Sequence, residues 1–232
     1  MIKQTPAQIF KSNLRTVIKT DVFLNLATFN FGIYQDSSRK PFGTLKVFNE
    51  ITLAPLQKVL TLIDTDTEIV FLPLFGGITY KDDTDNEDFI RIEQIKHISA
   101  RKGISLEVSN PYEKENVSYL EIWFSTKTAN FKPATNRFDF GFSERNRLNP
   151  LFDFSNTMGF IGIYDGRKEG YYALKDNFNG LFIFVIKGAF EVENRLLQEK
   201  DGLSLKKTET VEWEALSENA ILLVFEVPTE NL

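Results

Sequence analysis

Short strand-like runs recur along this chain, separated by residues that favour turns. From Val22 onward, apolar and aromatic runs alternate with Gly, Pro, Asn and Asp at intervals of about ten residues. This spacing predicts an all-β sandwich or barrel. The 22 phenylalanines among 232 residues support that fold class, because aromatic side chains pack well on a pleated surface.

Two stretches in the chain follow the same order of apolar strand and glycine turn. The first, residues 62–77, begins with polar residues, continues through an apolar run and ends in a Gly-Gly turn. The second, residues 181–188, repeats that order. We therefore predict an internal duplication of a small β-barrel, with barrels at residues 1–128 and 151–232 and a connecting segment at 129–150.

The segments outside the regular rhythm have separate predictions. The sequence Thr5-Pro6-Ala7-Gln8 resembles a short helix start, and residues 1–20 are expected to be peripheral. Residues 129–150 carry many Asn, Lys, Arg and Pro between phenylalanines. We expect those aromatic side chains to anchor a long connection onto a barrel.

The lack of cysteine and the single histidine exclude most familiar catalytic centres. Without cysteine there is no disulfide, thiolate nucleophile or Cys-ligated zinc or iron–sulfur centre. His97 alone cannot supply a two-histidine metal site within one chain. A lone histidine without a clear partner is more often a packed or surface residue than a catalytic base.

Charge and hydropathy limit the classes of partner. The net charge of -5 disfavours nucleic acid, because phosphate binding needs a clustered positive face. No segment approaches the roughly 20 apolar residues that cross a bilayer, so no membrane partner is expected. Residues 1–20 contain no apolar block typical of a secretory signal, and a cytoplasmic location is expected.

Several segments resemble the pirin family, whose members are bicupins built from two jelly-roll barrels. The resemblance covers roughly residues 21–228 of the chain. The matching segments are Phe29-Asn30-Phe31-Gly32-Ile33-Tyr34 (F-S-F-G-x-Y), Phe42 to Glu50 (F-G-x-L-R-V-x-N-E/D), Ala54-Pro55, Glu68-Ile69-Val70, Gly76-Gly77, Ile98 to Ile104 (M-S/T-A-G-x-G-I), Leu120-Glu121-Ile122-Trp123 (L-Q-I-W), Phe184 to Gly188 and Leu222 to Pro228.

The resemblance also locates a metal site whose usual ligands are replaced here. Family members with a metal carry H-P-H before the glutamate and H-x-E after G-x-G-I. The corresponding positions are Leu62, Asp64, Leu106 and Val108. Aliphatic side chains offer no lone pair to iron, nickel or copper, so we expect no bound transition metal and no cofactor. Because strand residues alternate, Leu106 and Val108 should point together into a filled barrel while Glu107 points away.

Three carboxylates near the Glu68 position suggest a different kind of site. Asp64, Asp66 and Glu68 alternate along the sequence and could face one way as an oxygen-only site for magnesium or calcium. Such ions take about six oxygen ligands, and only three are identified. A polar barrel mouth or a solvated strand end is the simpler interpretation.

Three functional hypotheses remain from the sequence. The favoured one is a non-enzymatic protein that binds an unknown small molecule or a protein partner on a scaffold without its metal. The resemblance to metal-bearing pirins implies the second, a quercetin 2,3-dioxygenase-like oxidoreductase. The third is metal-free isomerase or hydrolase chemistry by carboxylates such as Asp64 and Glu68, which requires a carboxyl with a raised pKa in a cleft.

Overall fold

The computed structural model describes residues 6–30, 35–84, 86–126 and 131–229. These residues form 21 β-strands and two 3-10 turns, at Ser12–Leu14 and Ser37–Arg39. The predicted all-β class is confirmed. Phe31, Gly32, Ile33 and Tyr34 of the first pirin-like segment lie outside the described residues.

The strands are numbered in chain order. The first eleven are β1 (Ala7–Phe10), β2 (Thr16–Lys19), β3 (Phe23–Ala27), β4 (Leu45–Leu53), β5 (Lys58–Leu62), β6 (Thr67–Phe75), β7 (Ile78–Asp82), β8 (Glu87–Ile90), β9 (Gln94–Ala100), β10 (Ser105–Ser109) and β11 (Val117–Ser125). The remaining ten are β12 (Ala134–Asp139), β13 (Asn149–Phe154), β14 (Thr157–Tyr164), β15 (Glu169–Ala173), β16 (Asn179–Lys187), β17 (Phe190–Val192), β18 (Arg195–Leu197), β19 (Gly202–Leu205), β20 (Thr210–Ala215) and β21 (Ala220–Pro228).

The chain divides into two compact units. The N-terminal unit comprises Thr16–Pro41 and Leu45–Phe140, and the C-terminal unit comprises Met1–Arg15, Phe42–Thr44 and Gly141–Leu232, as far as the structure describes these ranges. Each unit contains one large and one small antiparallel sheet. We call the two units the N-terminal barrel and the C-terminal barrel.

The N-terminal barrel encloses an apolar core between its two sheets. The large sheet has the order β12-β9-β6-β11-β4-β3-β2, and the small one has the order β5-β10-β7-β8. Phe71, Tyr80 and Tyr119 are among the residues buried between them. Strand β6 is rich in β-branched and aromatic residues and lies in the middle of its sheet. Pro73 is tolerated there because the register with β11 shifts between Ser118 and Tyr119.

The C-terminal barrel repeats this plan. Its large sheet has the order β1-β19-β16-β21-β14-β13, and its small sheet has the order β15-β20-β17-β18. Strand β1 supplies one edge of the large sheet. The turn after it is held by Asp201, which accepts hydrogen bonds from Lys11 Nζ at 2.9 Å and from the Ser12 backbone N–H at 2.8 Å.

The central strands of the two barrels confirm the predicted duplication. Strands β6 and β16 are both nine residues long and bury their first seven residues before an exposed end. Each is followed by a glycine in the left-handed region, Gly76 at φ 68° and Gly188 at φ 80°. Glycine adopts this conformation without the clash that a Cβ would cause, which explains the repeated glycine turn.

Two segments differ from the sequence predictions. Residues 134–139, inside the expected connection at 129–150, form β12 and pair with β9. The expected helix start is instead a strand, because Ala7–Phe10 pair with β19. Both segments are edge strands. Strand β1 pairs with β19 near the other end of the chain, and β12 pairs with β9 of the N-terminal barrel. Among the described residues, no helix is long and apolar enough to cross a membrane.

Candidate functional site

Two of the four predicted metal positions point into the N-terminal barrel. Leu106 and Val108 on β10 are 2% and 4% exposed and belong to the buried apolar core. They lie opposite Thr61 and Val59 of β5, and opposite Asp82 and Tyr80 of β7. Both side chains therefore fill the interior with carbon atoms.

Glu107 and the other two metal positions point elsewhere. Glu107 forms an ion pair with Lys58 at 2.7 Å on the outer face of the small sheet. Leu62, the last residue of β5, is 67% exposed, and its strand neighbour Thr61 is the residue that faces inward with Leu106. Asp64 is also exposed, in the loop between β5 and β6. The four positions do not converge in this structure.

The three carboxylates expected to alternate on one strand are also separated. Asp64 and Asp66 lie in the loop before β6, where strand alternation does not apply. The Asp66 carboxylate accepts a hydrogen bond from the Lys102 backbone N–H at 2.9 Å, whereas Glu68 is buried on β6. The expectation that the three face one way is therefore wrong. No three His, Asp or Glu side chains within the described residues are arranged to hold a metal ion.

Glu68 instead forms a buried hydrogen-bonded group with two residues of β9. One oxygen, Oε2, lies 2.8 Å from His97 Nε2 and accepts a hydrogen bond from Ser99 Oγ at 2.7 Å. These side chains lie on the face of the sheet opposite the barrel core, because Ile69 and Ile98 are the residues that face inward. Ser99 donates to the carboxylate and not to His97, so the arrangement lacks the nucleophile–base contact of a hydrolase.

A second set of polar side chains lies inside the N-terminal barrel. Glu121 on β11 is directly opposite Asn49 on β4, and Trp123 is two residues further along β11. Asn25 on β3 is opposite Ile51, a core residue. Since Tyr119 and Ile51 face the core, strand alternation places all four residues on the same inner face. We call Asn25, Asn49, Glu121 and Trp123 the polar cluster.

The electrostatics of the polar cluster depend on Glu121, which is 7% exposed. Burial raises the pKa of Glu121 to about 7, and the nearby side chains of Trp123 and Asn49 limit the rise. Asn49 Nδ2 and Trp123 Nε1 are buried and donate to the Glu121 carboxyl, with a geometry less favourable than that of an ordinary hydrogen bond. Asn25 Oδ1 is buried without a partner among the described residues. A buried polar group without a partner costs about 1–3 kcal/mol.

Sequence reasoning missed the polar cluster because Glu121 and Trp123 were considered only as members of the pirin-like segment Leu120-Glu121-Ile122-Trp123. The alternation of side chains along a strand could have indicated the polar cluster. In Tyr119-Leu120-Glu121-Ile122-Trp123 the odd positions share a face, so a core-facing Tyr119 predicts a core-facing carboxylate.

The chain is similar in sequence or in fold to several known proteins. Residues 157–227 match the family model described as the quercetinase C-terminal cupin domain. The crystal structure of YhhW from Escherichia coli superposes with a TM-score of 0.87 at 18% identity, covering 98% of this chain and 100% of YhhW. A second YhhW structure, described as a bacterial pirin in complex with nickel(II), superposes with a TM-score of 0.85 over 96% of this chain and 99% of YhhW, also at 18% identity. A pirin-like protein of Caulobacter vibrioides is 24% identical over 84% of this chain and 89% of its own length.

The chain is similar to pirins in sequence and in fold. Another relative, from Zymomonas mobilis, is provisionally named as a quercetin 2,3-dioxygenase and is 26% identical over 84% of this chain and 88% of its own length. The nickel in the YhhW complex belongs to that protein. In this chain the positions where the resemblance implies metal ligands hold two buried aliphatic side chains, an exposed leucine and an exposed aspartate, a donor set that does not fit a transition metal.

Proposed function

We propose that this chain is a non-enzymatic pirin-like bicupin that binds a small molecule or a protein partner on a scaffold without a transition metal. The observation that supports the proposal is the burial of Leu106 and Val108 in the apolar core, where the resemblance implies a histidine and a glutamate. Burying such a side chain contributes about 1.5–3 kcal/mol, so these residues suit a stable closed interior.

The main alternative is a quercetin 2,3-dioxygenase-like oxidoreductase. It is favoured by the provisional name of the Zymomonas mobilis relative and by the description of the matching C-terminal family model. It requires a metal ion with ligands from the chain, and Leu106 and Val108 offer none. Metal-free chemistry by Asp64 and Glu68 is also disfavoured, because Asp64 is exposed in a loop and Glu68 is engaged by His97 and Ser99.

The partner and the location form the rest of the proposal. A protein partner in place of a small molecule is the second form of the same hypothesis. It is favoured by the exposed Leu60 and Leu62, which share the outer face of the edge strand β5. A cytoplasmic location remains an expectation from the sequence, as does the lack of a nucleic-acid partner.

Metal analysis of the purified full chain tests this proposal. The protein is produced in medium supplemented with iron, nickel and copper, digested, and measured by mass spectrometry of the elements. The same preparation is incubated with quercetin in air while oxygen uptake is recorded. A variant carrying Leu62→His, Asp64→His, Leu106→His and Val108→Glu serves as the gain-of-metal comparison.

The proposal expects less than one tenth of an equivalent of metal and no oxygen uptake above the rate without protein. A stoichiometric metal that is retained through dialysis, or quercetin-dependent oxygen uptake, would overturn it in favour of the oxidoreductase. If the fourfold variant does not fold, the two single variants at exposed positions, Leu62→His and Asp64→His, still test whether histidines there recruit a metal to the native chain.

A further inference from the structure

The small sheet of the C-terminal barrel has an open cavity on its outer face. Tyr172, Val192 and Trp213 of this sheet belong to the barrel core, so the residues that alternate with them on β15, β17 and β20 face outward. A cavity of about 380 Å³ lies over this face. Its lining includes the five carboxylates of Glu169, Glu191, Glu193, Glu212 and Glu214. We call this surface, together with Tyr171 on β15 and Leu196 on β18, the acidic face.

The carboxylates of the acidic face lie next to one another across three strands. Glu214 on β20 is directly opposite Glu169 on β15 and Glu191 on β17. In the next row, Glu193 Oε1 accepts a hydrogen bond from the Glu212 backbone N–H at 2.9 Å. Like charges that face each other across strands destabilise a sheet, so the stability of the barrel does not account for this arrangement.

Two arginines beside the cavity offset part of this charge. Arg167 Nη1 forms an exposed ion pair with Glu214 at 3.1 Å, and Arg195 donates to the backbone carbonyl of Glu193 at 2.7 Å. Five carboxylates and two guanidinium groups leave an excess of negative charge around the cavity. A concave surface lined by one sign of charge raises the local concentration of oppositely charged partners.

The corresponding sheet of the N-terminal barrel has a different outer surface. Its central outward carboxylate, Glu107 on β10, is opposite Lys81 on β7 and forms an ion pair with Lys58 on β5. Charges of opposite sign therefore alternate across that sheet, whereas Glu169 and Glu191 flank the central carboxylate of the C-terminal sheet. The acidic face is thus a feature of the C-terminal sequence and not of the strand arrangement.

The chemistry of the acidic face excludes several kinds of partner. No three His, Asp or Glu side chains in the part of the chain that the structure describes are arranged to hold a metal ion. Nucleic acid and anionic lipid surfaces would be repelled by the carboxylates. A partner with several positive charges remains.

Apolar groups lie at both edges of the acidic face. Tyr171 on the edge strand β15 is 73% exposed, and Leu196 on the edge strand β18, opposite Glu191, is 64% exposed. A guanidinium group stacks on a tyrosine ring while it donates to carboxylates in a fork, and the stem of an arginine packs against aliphatic side chains. A compact ammonium group pairs with carboxylates but lacks the planar fork. The acidic face therefore favours arginine over lysine or a free amine.

We propose that the acidic face is a docking surface for a short, arginine-rich segment of a protein partner. One guanidinium group stacks on Tyr171 and pairs with Glu212, which lies directly opposite Tyr171. The four strands of the sheet span roughly 14 Å, a width that about four or five extended residues cross. The inference rests on the protein-partner form of the proposed function and specifies the chemistry of that partner.

Fluorescence anisotropy with the purified full chain tests this inference. The probe is a rhodamine-labelled peptide of seven residues in which arginine alternates with glycine. Two peptides of the same length, with lysine or glutamine in place of arginine, and spermine as an unlabelled competitor separate guanidinium recognition from general charge attraction. Each titration is run in about 50 mM and about 300 mM NaCl, because salt screens exposed ion pairs.

The variants change the acidic face without altering the core. Glu169→Gln combined with Glu191→Gln removes the two carboxylates that flank the central one, and should not lower stability because it relieves repulsion. Tyr171→Ala removes the exposed ring, and Tyr171→Phe keeps it. The matched control, Glu87→Gln combined with Glu107→Gln, removes two charges from the outer face of the N-terminal small sheet. Thermal unfolding of each variant, recorded beforehand, identifies those that are folded.

We expect the arginine peptide to bind with one site per chain, at least about fivefold more tightly than the lysine peptide, and about tenfold more weakly at the higher salt concentration. The glutamine peptide should not bind. The Glu169→Gln and Glu191→Gln pair and Tyr171→Ala should each weaken binding by about threefold to tenfold. Tyr171→Phe and the control pair should bind as the native chain does.

Equal binding of the arginine and lysine peptides, or displacement by spermine at the same concentration, would indicate general charge attraction and overturn the inference. An absence of binding, or binding that the acidic-face variants leave unchanged, would do the same. Self-association of the chain alone that these variants abolish in analytical ultracentrifugation would place a second copy on the acidic face and also overturn it.

Metal content is measured on the same samples. A metal-free protein that does not bind the arginine peptide overturns only this inference, whereas a stoichiometric metal overturns the proposed function whether or not the peptide binds.

Discussion

The two barrels share one arrangement of strands, but at one corresponding interior position the N-terminal barrel has a polar residue and the C-terminal barrel has an apolar one. In the N-terminal barrel, Glu121 is the fifth residue of β11 and lies opposite Phe71 of β6. In the C-terminal barrel, Val224 is the fifth residue of β21 and lies opposite Ile183 of β16. Asn49 beside Glu121 corresponds to Phe160 beside Val224. One barrel is polar where its duplicate is apolar.

The C-terminal barrel does bury a carboxylate, but it surrounds that carboxylate with donors. Glu226 is fully buried two residues beyond Val224. Its oxygens accept hydrogen bonds from Tyr172 Oη at 2.6 Å, the backbone N–H groups of Lys175 and Asp176 at 3.0 Å, and Asn179 Nδ2 at 2.9 Å. Glu226 is therefore a structural residue, whereas Glu121 has only the imperfect contacts of Asn49 and Trp123, and burial raises its pKa to about 7. The difference teaches that two buried carboxylates on corresponding strands can differ in how well the surrounding donors satisfy them.

The largest effect is expected when the carboxylate of Glu226, which accepts several hydrogen bonds, is removed. Glu226→Ala leaves four donors without their acceptor, and we expect the free energy of unfolding of the C-terminal barrel to fall by about 3–5 kcal/mol. Urea denaturation followed by circular dichroism measures the change. Glu212→Ala on the exposed face of β20 is the control, and an equal effect in both variants would contradict the structural role of Glu226.

The next test concerns an aliphatic residue at a position where the resemblance implies a metal ligand. Leu106→Ala removes a core side chain of the N-terminal barrel and should lower the free energy of unfolding by about 2–5 kcal/mol. Chemical denaturation measures this loss. A change below about 0.5 kcal/mol would mean that Leu106 is not packed as in the structure and that the interior at this position is open.

The pH dependence of stability tests the state of Glu121. Its folded pKa of about 7 lies above its usual value of 4.5, so the folded protein holds a proton that the unfolded chain releases. The contribution of Glu121 is most favourable below pH 4.5 and is lost as pH rises through 7, by about 3 kcal/mol in total. The stability difference between the native chain and Glu121→Gln should follow that curve in denaturant titrations from pH 4.5 to 8. A difference that stays constant with pH would show that Glu121 is solvated.

The smallest expected effect is at Leu62, the exposed residue at a predicted ligand position. Leu62→Ala should change the free energy of unfolding by no more than about 0.5 kcal/mol, because the side chain lies in solvent. The comparison with Leu106→Ala is made in the same denaturant series. A loss as large as that of Leu106→Ala would mean that Leu62 turns inward and that the four predicted ligand positions do converge.

Much of the fold follows from local pattern. Alternation and turn residues predicted the strands, and the repeated glycine turn predicted the duplication of β6 in β16. Edge strands were harder. The residues of Ala7–Phe10 and Ala134–Asp139 do not indicate which strand each segment will pair with. The partner is an exposed sheet edge formed by a segment distant in sequence.

The candidate site was predictable only in part. The inward direction of Leu106 and Val108 follows from strand alternation. The separation of Asp64 and Asp66 from Glu68 does not follow from the sequence pattern. Strand β6 begins only at Thr67, and side-chain alternation does not extend into the loop before it. Glu121 was visible in the sequence, but the geometry of its contacts with Asn49 and Trp123 depends on side-chain positions that periodicity does not contain.

The pairing of β1 with β19 has a consequence for the order of events during synthesis. Ala7 pairs with Leu205, so the first described strand leaves the ribosome almost 200 residues before its partner does. At about 5–20 residues per second, β1 waits roughly 10–40 s with its backbone unpaired. The Lys11 contact with Asp201 closes the same long loop. The nascent chain therefore carries this strand with an unpaired backbone until β19 has been made, and an unpaired strand is a template on which another chain can pair.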